Sequence, residues 1–96
     1  MRQRVVLRGR VQGIGFREHV RAIARGHAVA GTVRNFSDGT SLELDVEGEP
    51  AAVCAFLDEV LARPPHFARI DAIERQTLEP RGARGFTVGP TAEPAV

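Results

Sequence analysis

Gly9-Arg10-Val11-Gln12-Gly13-Ile14-Gly15-Phe16-Arg17 is a glycine-rich turn set between an apolar run and an amphipathic helical pattern. Val5, Val6 and Leu7 before it read as a strand, and Phe16, Val20, Ile23 and Ala24 after it recur at helical spacing. The chain must pass from strand to helix at these glycines, which restricts the folds open to it. At such a junction the first N–H groups of the helix lack carbonyl partners, and together with the helix dipole they favour a negatively charged ligand. Glycine at positions 9, 13 and 15 lets the backbone curl close to phosphate oxygens.

Arg17 breaks a local rule. An arginine in the first turn of a helix sits at the positive end of the dipole, where Asp or Glu is expected. Beside a glycine loop such a break marks a candidate functional site, and a guanidinium matches a phosphate bidentately. A solvated surface arginine beside an ordinary turn is the other reading of the same residues. Two commoner glycine loops do not fit. A P-loop needs Gly-Lys-Ser/Thr, and the chain contains no lysine. A dinucleotide fingerprint needs a small residue at position 18, which is Glu.

Ninety-six residues make one domain, large enough to fold without disulfides or metal. With 13 basic and 12 acidic residues, global charge points to neither a nucleic acid nor an acidic membrane as partner. The single cysteine, Cys54, excludes an internal disulfide framework and fits a reducing compartment. Met-Arg-Gln-Arg runs into only three apolar residues, too few for a signal peptide or a membrane span. The expectation is a cytoplasmic protein.

The pattern predicts a first strand over Arg4–Arg8, then a helix from about Phe16 to Arg25 ended by Gly26 as a left-handed cap. Val29 to Asn35 reads as a second strand, followed by a hairpin turn at Ser37-Asp38-Gly39. A third strand alternates, with Leu42, Leu44 and Val46 inward and Glu43, Asp45 and Glu47 outward. Pro50 suits the first position of a second helix with an apolar stripe of Val53, Phe56, Leu57, Val60 and Leu61, stopped by Pro64-Pro65. Cys54 is assigned to packing beside that stripe. A fourth strand, Ala68 to Gln76, places Ile70 and Ile73 on opposite faces unless a bulge reconciles them. Phe86 and Val88 close the domain, 1–90, and Thr91 to Val96 reads as a frayed tail.

The order β-α-β-β-α-β predicts an α+β fold, a ferredoxin-like βαββαβ sandwich with two helices on one face of an antiparallel sheet. A right-handed crossover makes the first two strands parallel with the third between them, so their C-terminal ends share one edge. That brings Asn35, ending the second strand, to about 10 Å from the glycine cradle in backbone terms. By itself Asn35 also reads as a turn former.

With both stretches placed, the chain resembles the acylphosphatase family. Gly9 to Arg17 matches that family's Gly-x-Val-Gln-Gly-Val-x-Phe-Arg with only Ile14 replacing a valine, and Gly31-Thr32-Val33-Arg34-Asn35-Phe36-Ser37-Asp38-Gly39 matches Gly-x-Val-x-Asn-x-x-Asp-Gly. The likeness runs from about Arg4 to Val88. Thr32 stands where the family often has tryptophan, Ala28 where glycine is common, and the third strand is one residue longer than usual between Gly39 and Gly48, assigned to a bulge near Thr40-Ser41. The resemblance implies hydrolysis of a small-molecule acyl phosphate to carboxylate and inorganic phosphate; by analogy with small enzymes of this shape a monomer is expected, and the residues present lead to the expectation of no cofactor or metal. The resemblance also implies that Arg17 and Asn35 are catalytic, Asn35 aiming a water, and that the backbone of Gln12, Gly13, Ile14, Gly15, Phe16 and Arg17 binds phosphate.

His19, His27 and His66 show no metal-ligand spacing, and no carboxylate pair is set to hold magnesium. A carbamoyl-phosphate-handling domain, like the one at the N-terminus of the hydrogenase-maturation carbamoyltransferases, shares both motifs and a Pro-Pro-x-Ala-Arg-Ile-Asp-like segment. It tends to have Pro-Phe where this chain has Glu18-His19. A non-catalytic phosphate-binding module is a further alternative. Single-stranded RNA binding on the sheet would need exposed aromatics mid-strand, and the chain has no Trp or Tyr.

Overall fold

The computed structural model describes residues 1–94. The elements are β1 (Arg2–Arg10), α1 (Phe16–Ala24), β2 (Val29–Asn35), β3 (Ser41–Gly48), α2 (Pro50–Ala62), β4 (Arg69–Leu78) and β5 (Phe86–Val88). The sheet order is β4-β1-β3-β2-β5. β3 pairs antiparallel with both β1 and β2, so β1 and β2 run parallel with β3 between them. The sheet is mixed rather than wholly antiparallel, because β5 returns to pair parallel with β2.

Alternation decides the two faces. Val5 and Leu7 of β1, Val33 of β2 and Leu42, Leu44 and Val46 of β3 lie in one buried cluster with Phe16 and Val20 of α1 and Val53, Phe56, Leu57 and Val60 of α2. Each fully buried aliphatic or phenylalanine side chain contributes roughly 1.5–3 kcal/mol. Cys54, expected to pack beside the α2 stripe, is exposed instead, since it falls outside the arc that Val53 and Phe56 turn to the sheet.

The opposite face is ionic. Glu43, Asp45 and Glu47 point away from the helices, yet are only 3%, 8% and 8% exposed. Arg4 and Arg34 both bond Glu43 (2.7 and 2.9 Å), and Arg2 grips Asp45 through two nitrogens (2.9 and 2.8 Å). The N–H groups of Arg81, Gly82 and Ala83 donate to the Glu47 carboxylate. Arginine stems and the loop before β5 therefore cover the carboxylates while neutralising them. This face carries no aromatic side chain on β1 or β3.

Three local expectations are corrected. Gly26 is not left-handed: α1 ends through Arg25 in the right-handed region, with Gly26 N–H donating to Ile23 O and His27 N–H to Ala24 O. No bulge interrupts β3, whose register with β1 and β2 is continuous, and the turn before it carries the left-handed Gly39 (φ 78°). The tail is held further than expected. Ala92 N–H donates to Asn35 O and Ser37 N–H to Ala92 O, which extends the parallel pairing beyond β5. Residues 95 and 96 lie outside the described residues.

β4 does contain a bulge. Its register against β1 shifts between Arg8 and Gly9, leaving Asp71 unpaired and setting Ile73 opposite Leu7 and Ile70 opposite Gly9. Both isoleucines thus share the helix face. Ile70 packs on the core, whereas Ile73, on an edge strand beyond the helices, is 45% exposed.

Candidate active site

The loop from Val11 to Gly15 leaves the end of β1 and delivers the chain into α1. Gly13 (φ 74°) and Gly15 (φ 77°) both occupy the left-handed region, and Gly15 is the N-cap residue of α1, with no side-chain cap. The first backbone bond of the helix is His19 N–H to Gly15 O (3.0 Å). The N–H groups of Gly13 through Glu18 have no backbone acceptor among the described residues. A concave row of unpaired amides at a helix N-terminus is an anion site by geometry and by dipole. No Cβ stands in the way: an added Cβ at Gly13 or Gly15 would meet nothing within 4 Å.

Asn35 ends β2 beside this loop. It is 9% exposed, and its Oδ1 is buried without a hydrogen-bond partner. An unpaired buried amide oxygen costs about 1–3 kcal/mol, so the fold holds it at a price that only a ligand or water at that spot offsets. The backbone around it is fixed on both sides, by pairing with Leu42 of β3 and by the Ala92 N–H bond to its carbonyl.

Cradle and asparagine open into one pocket of about 190 Å³ lined by Val11, Gln12, Gly13, Gly15, Phe16, Arg17, Glu18, Asn35 and Val88. Arg17, half-buried, is the cation of this lining and forms no ion pair among the described residues. Glu18 is turned along the helix to Arg21 (3.6 Å) and its side chain is 69% exposed. Among the described residues no cluster of His, Cys, Asp or Glu is placed to hold a metal ion.

The structure brings together Gln12, Gly13, Gly15, Phe16, Arg17 and Asn35 of the residues picked out in the sequence. Ile14 is different: it does not line the pocket, and its side chain packs against the core. A ligand would meet it through the backbone alone. Val11, Glu18 and Val88 line the pocket without having been foreseen. Val88 has a faint sequence signal, as the final apolar residue of a strand in a fold where the last strand can flank the second.

The turn after Asn35 is built around Asp38. Its carboxylate accepts from Ser41 Oγ (2.7 Å) and from the N–H groups of Thr40 and Ser41 (2.9 Å each). The Ser41 hydroxyl, followed by the Thr40 amide, holds the Asp38 carboxyl below its ordinary range. Gln12 Nε2 crosses from the cradle to this turn, donating to Phe36 O (2.7 Å) and Ser41 O (2.8 Å). Gly9 N–H adds a third tie to Thr40 O (2.9 Å).

Comparison with known proteins points to one family and one fold. The family model described as Acylphosphatase matches residues 3–88. An acylphosphatase of Synechococcus sp. is 43% identical over 91 residues, covering 95% of this chain and 95% of that protein. The crystal structure of the Bacillus subtilis acylphosphatase superposes with a TM-score of 0.84 at 30% identity, covering 92% of this chain and 97% of that one. A full-length HypF, solved in a phosphate- and nucleotide-bound form, gives a TM-score of 0.87 at 33% identity over 95% of this chain but only 12% of its own. With both glycine motifs, the sheet order and the family model in agreement along nearly its whole length, the chain belongs to the acylphosphatase family.

Proposed function

We propose that this protein is an acylphosphatase that hydrolyses the carboxyl-phosphate bond of acyl phosphates by direct attack of a water positioned by Asn35. The observation that carries the reading is the unpartnered Asn35 Oδ1, buried in the same pocket as the unpaired amides of the cradle and Arg17. An acyl phosphate already has a good leaving group. Its loose transition state asks little more of a protein than to hold three phosphoryl oxygens and aim a nucleophile. The amides of Gly13 to Arg17 would take the phosphoryl oxygens, and Arg17 would pair bidentately with them as charge builds. Asn35 Oδ1 would accept a hydrogen bond from the water, turning a lone pair toward phosphorus, and the proton the water sheds as the new P–O bond forms would pass to an oxygen of the departing phosphate. The carboxylate leaves with its own charge and needs no acid. No residue of the lining is a histidine or cysteine, so neither a phosphohistidine or phosphocysteine nor an imidazole base enters the scheme, and the one carboxylate of the lining, Glu18, is turned along the helix to Arg21.

The test is loss of benzoyl phosphate absorbance in chelator-treated buffer, with inorganic phosphate as competitive inhibitor. Arg17→Gln is expected to lower kcat/KM by about 1,000-fold and to weaken phosphate inhibition. Asn35→Ala is expected to lower kcat about 100-fold or more while phosphate inhibition stays close to wild type, because it removes the water and not the anion site. Full activity of a folded Asn35→Ala protein would sink the water-positioning scheme. The enzyme acts as a cytoplasmic monomer in this reading. A second reading, carbamoyl phosphate as substrate, draws on the resemblance of both glycine motifs to those of the carbamoyl-phosphate-handling domains. Comparing kcat/KM for carbamoyl and benzoyl phosphate separates the two.

A further inference from the structure

We propose that Gln12 is a positioning residue for the hydrolysis: its side chain clamps the anion cradle to the turn that carries Asn35, setting the distance between bound phosphate and water. The inference rests on the function proposed above. The first glycine motif holds the phosphate and the second holds the water. They belong to separate strands with β3 between them, so the sheet relates them through an intervening strand rather than by direct pairing. Gln12 spans this gap. Its Nε2 donates to Phe36 O at 2.7 Å and to Ser41 O at 2.8 Å, and Phe36 directly follows Asn35. Those two carbonyls close the turn, since Phe36 N–H also bonds Ser41 O (3.0 Å).

The chemistry is specific to a primary amide. Both acceptors are carbonyls, so the nitrogen end of the amide must face the turn, and each of its two N–H bonds has a partner. A carboxylate of the same shape would set its charge against two carbonyl oxygens. A shorter asparagine would fall one methylene short. Gln12 is expected to bind phosphate through its backbone; the side chain has this separate role, across 24 and 29 residues of sequence. Two charged groups hold the same turn: Ser41 Oγ donates to Asp38 (2.7 Å) and accepts from Arg8 (3.0 Å).

The experiment compares wild type, Gln12→Glu and Gln12→Met, the last two keeping length and volume while removing the paired donors. Readouts are kcat with benzoyl phosphate, inhibition by inorganic phosphate, and cooperative thermal unfolding. Both variants are expected to unfold cooperatively and to lose at least about tenfold in kcat, with the phosphate inhibition constant within about twofold of wild type. A Gln12→Asn variant should lose as much, because reach and not polarity is what fails. Unchanged kcat in the folded Gln12→Met protein overturns the clamp. So does a phosphate affinity that falls in step with kcat, which would make Gln12 part of the anion site. If Gln12→Glu does not fold, the neutral Gln12→Met carries the comparison. An inactive wild type overturns the hydrolytic reading itself, an outcome distinct from an active wild type whose Gln12 variants match it.

Discussion

Seven glycines have φ in the left-handed region, and they do not all do the same work. Gly31 has φ 145°, and a Cβ there would stand 1.8 Å from Asp45 O on the neighbouring strand; Gly9, at φ 139°, would meet Arg69 O at 2.2 Å. These two glycines are where backbones approach too closely for any side chain. Gly15 faces open space inside the pocket. Gly31→Ala is therefore expected to destabilise the fold by about 3 kcal/mol or more, read from urea unfolding. Gly15→Ala should cost only about 1–2 kcal/mol, the strain of an alanine in the left-handed region, yet raise the phosphate inhibition constant severalfold. Equal destabilisation by the two substitutions would refute this division between sheet glycines and cradle glycines.

At the scale of elements, β3 is the strand on which both faces depend. Its apolar side meets the helices and its acidic side meets a row of arginines from β1, β2 and the loop before β5. Glu43 shows how that side is held: it is almost fully buried between Arg4 and Arg34, one to each oxygen. Removing one arginine leaves the carboxylate still paired, while removing both strands a charge. Arg4→Ala and Arg34→Ala should each cost about 1 kcal/mol, and the double variant about 3–5, more than the sum. Additive costs in chemical denaturation would show that water replaces the arginines freely. The same logic links β2 to the tail. Ala92 bonds both Asn35 O and Ser37 N–H, so the segment after β5 helps to keep the water-positioning residue in place.

Across the whole molecule the electrostatics make acid the weak condition. Arg2 holds the Asp45 carboxyl below its ordinary range, the Ala83, Gly82 and Arg81 amides do so for Glu47, and Ser41 and Thr40 for Asp38. A carboxyl depressed in the folded state stabilises the fold above its ordinary pKa, and that contribution is lost as pH falls through the lowered value. The melting temperature is accordingly expected to stay level from about pH 7 to about pH 5 and to fall below about pH 4. Asp45→Asn should make the profile shallower in that acid window. An unfolding transition that weakens toward neutral pH would contradict the assignment. The cradle and Asn35 sit at the same end of the sheet as the Asp38 turn, so activity is expected to fail in acid no later than the fold does.

The sequence alone determined the order of elements, because periods of two and of 3.6 residues are local properties of Leu42-Leu44-Val46 and of Phe16-Val20-Ala24. It determined the cradle as well, since glycine at 13 and 15 is what a left-handed backbone at a helix start requires. The β4 bulge was legible for the same reason, as a break in alternation between Ile70 and Ile73. Other features needed the chain to be folded. Alternation assigned Glu43, Asp45 and Glu47 to a face but could not say that arginines from three other segments would bury them. A strand of three residues, Phe86 to Val88, carries no signal of its direction, so its parallel pairing with β2 depended on where the preceding loop crossed. Gly26 resembled a left-handed cap, yet the helix closed through Arg25 without one. The two carbonyls that receive Gln12, the unpartnered Oδ1 of Asn35 and the pocket they share arise between residues far apart in sequence. Only tertiary structure decides such meetings, because a hydrogen bond depends on angstroms in space, while a sequence pattern records only which neighbours lie along the chain.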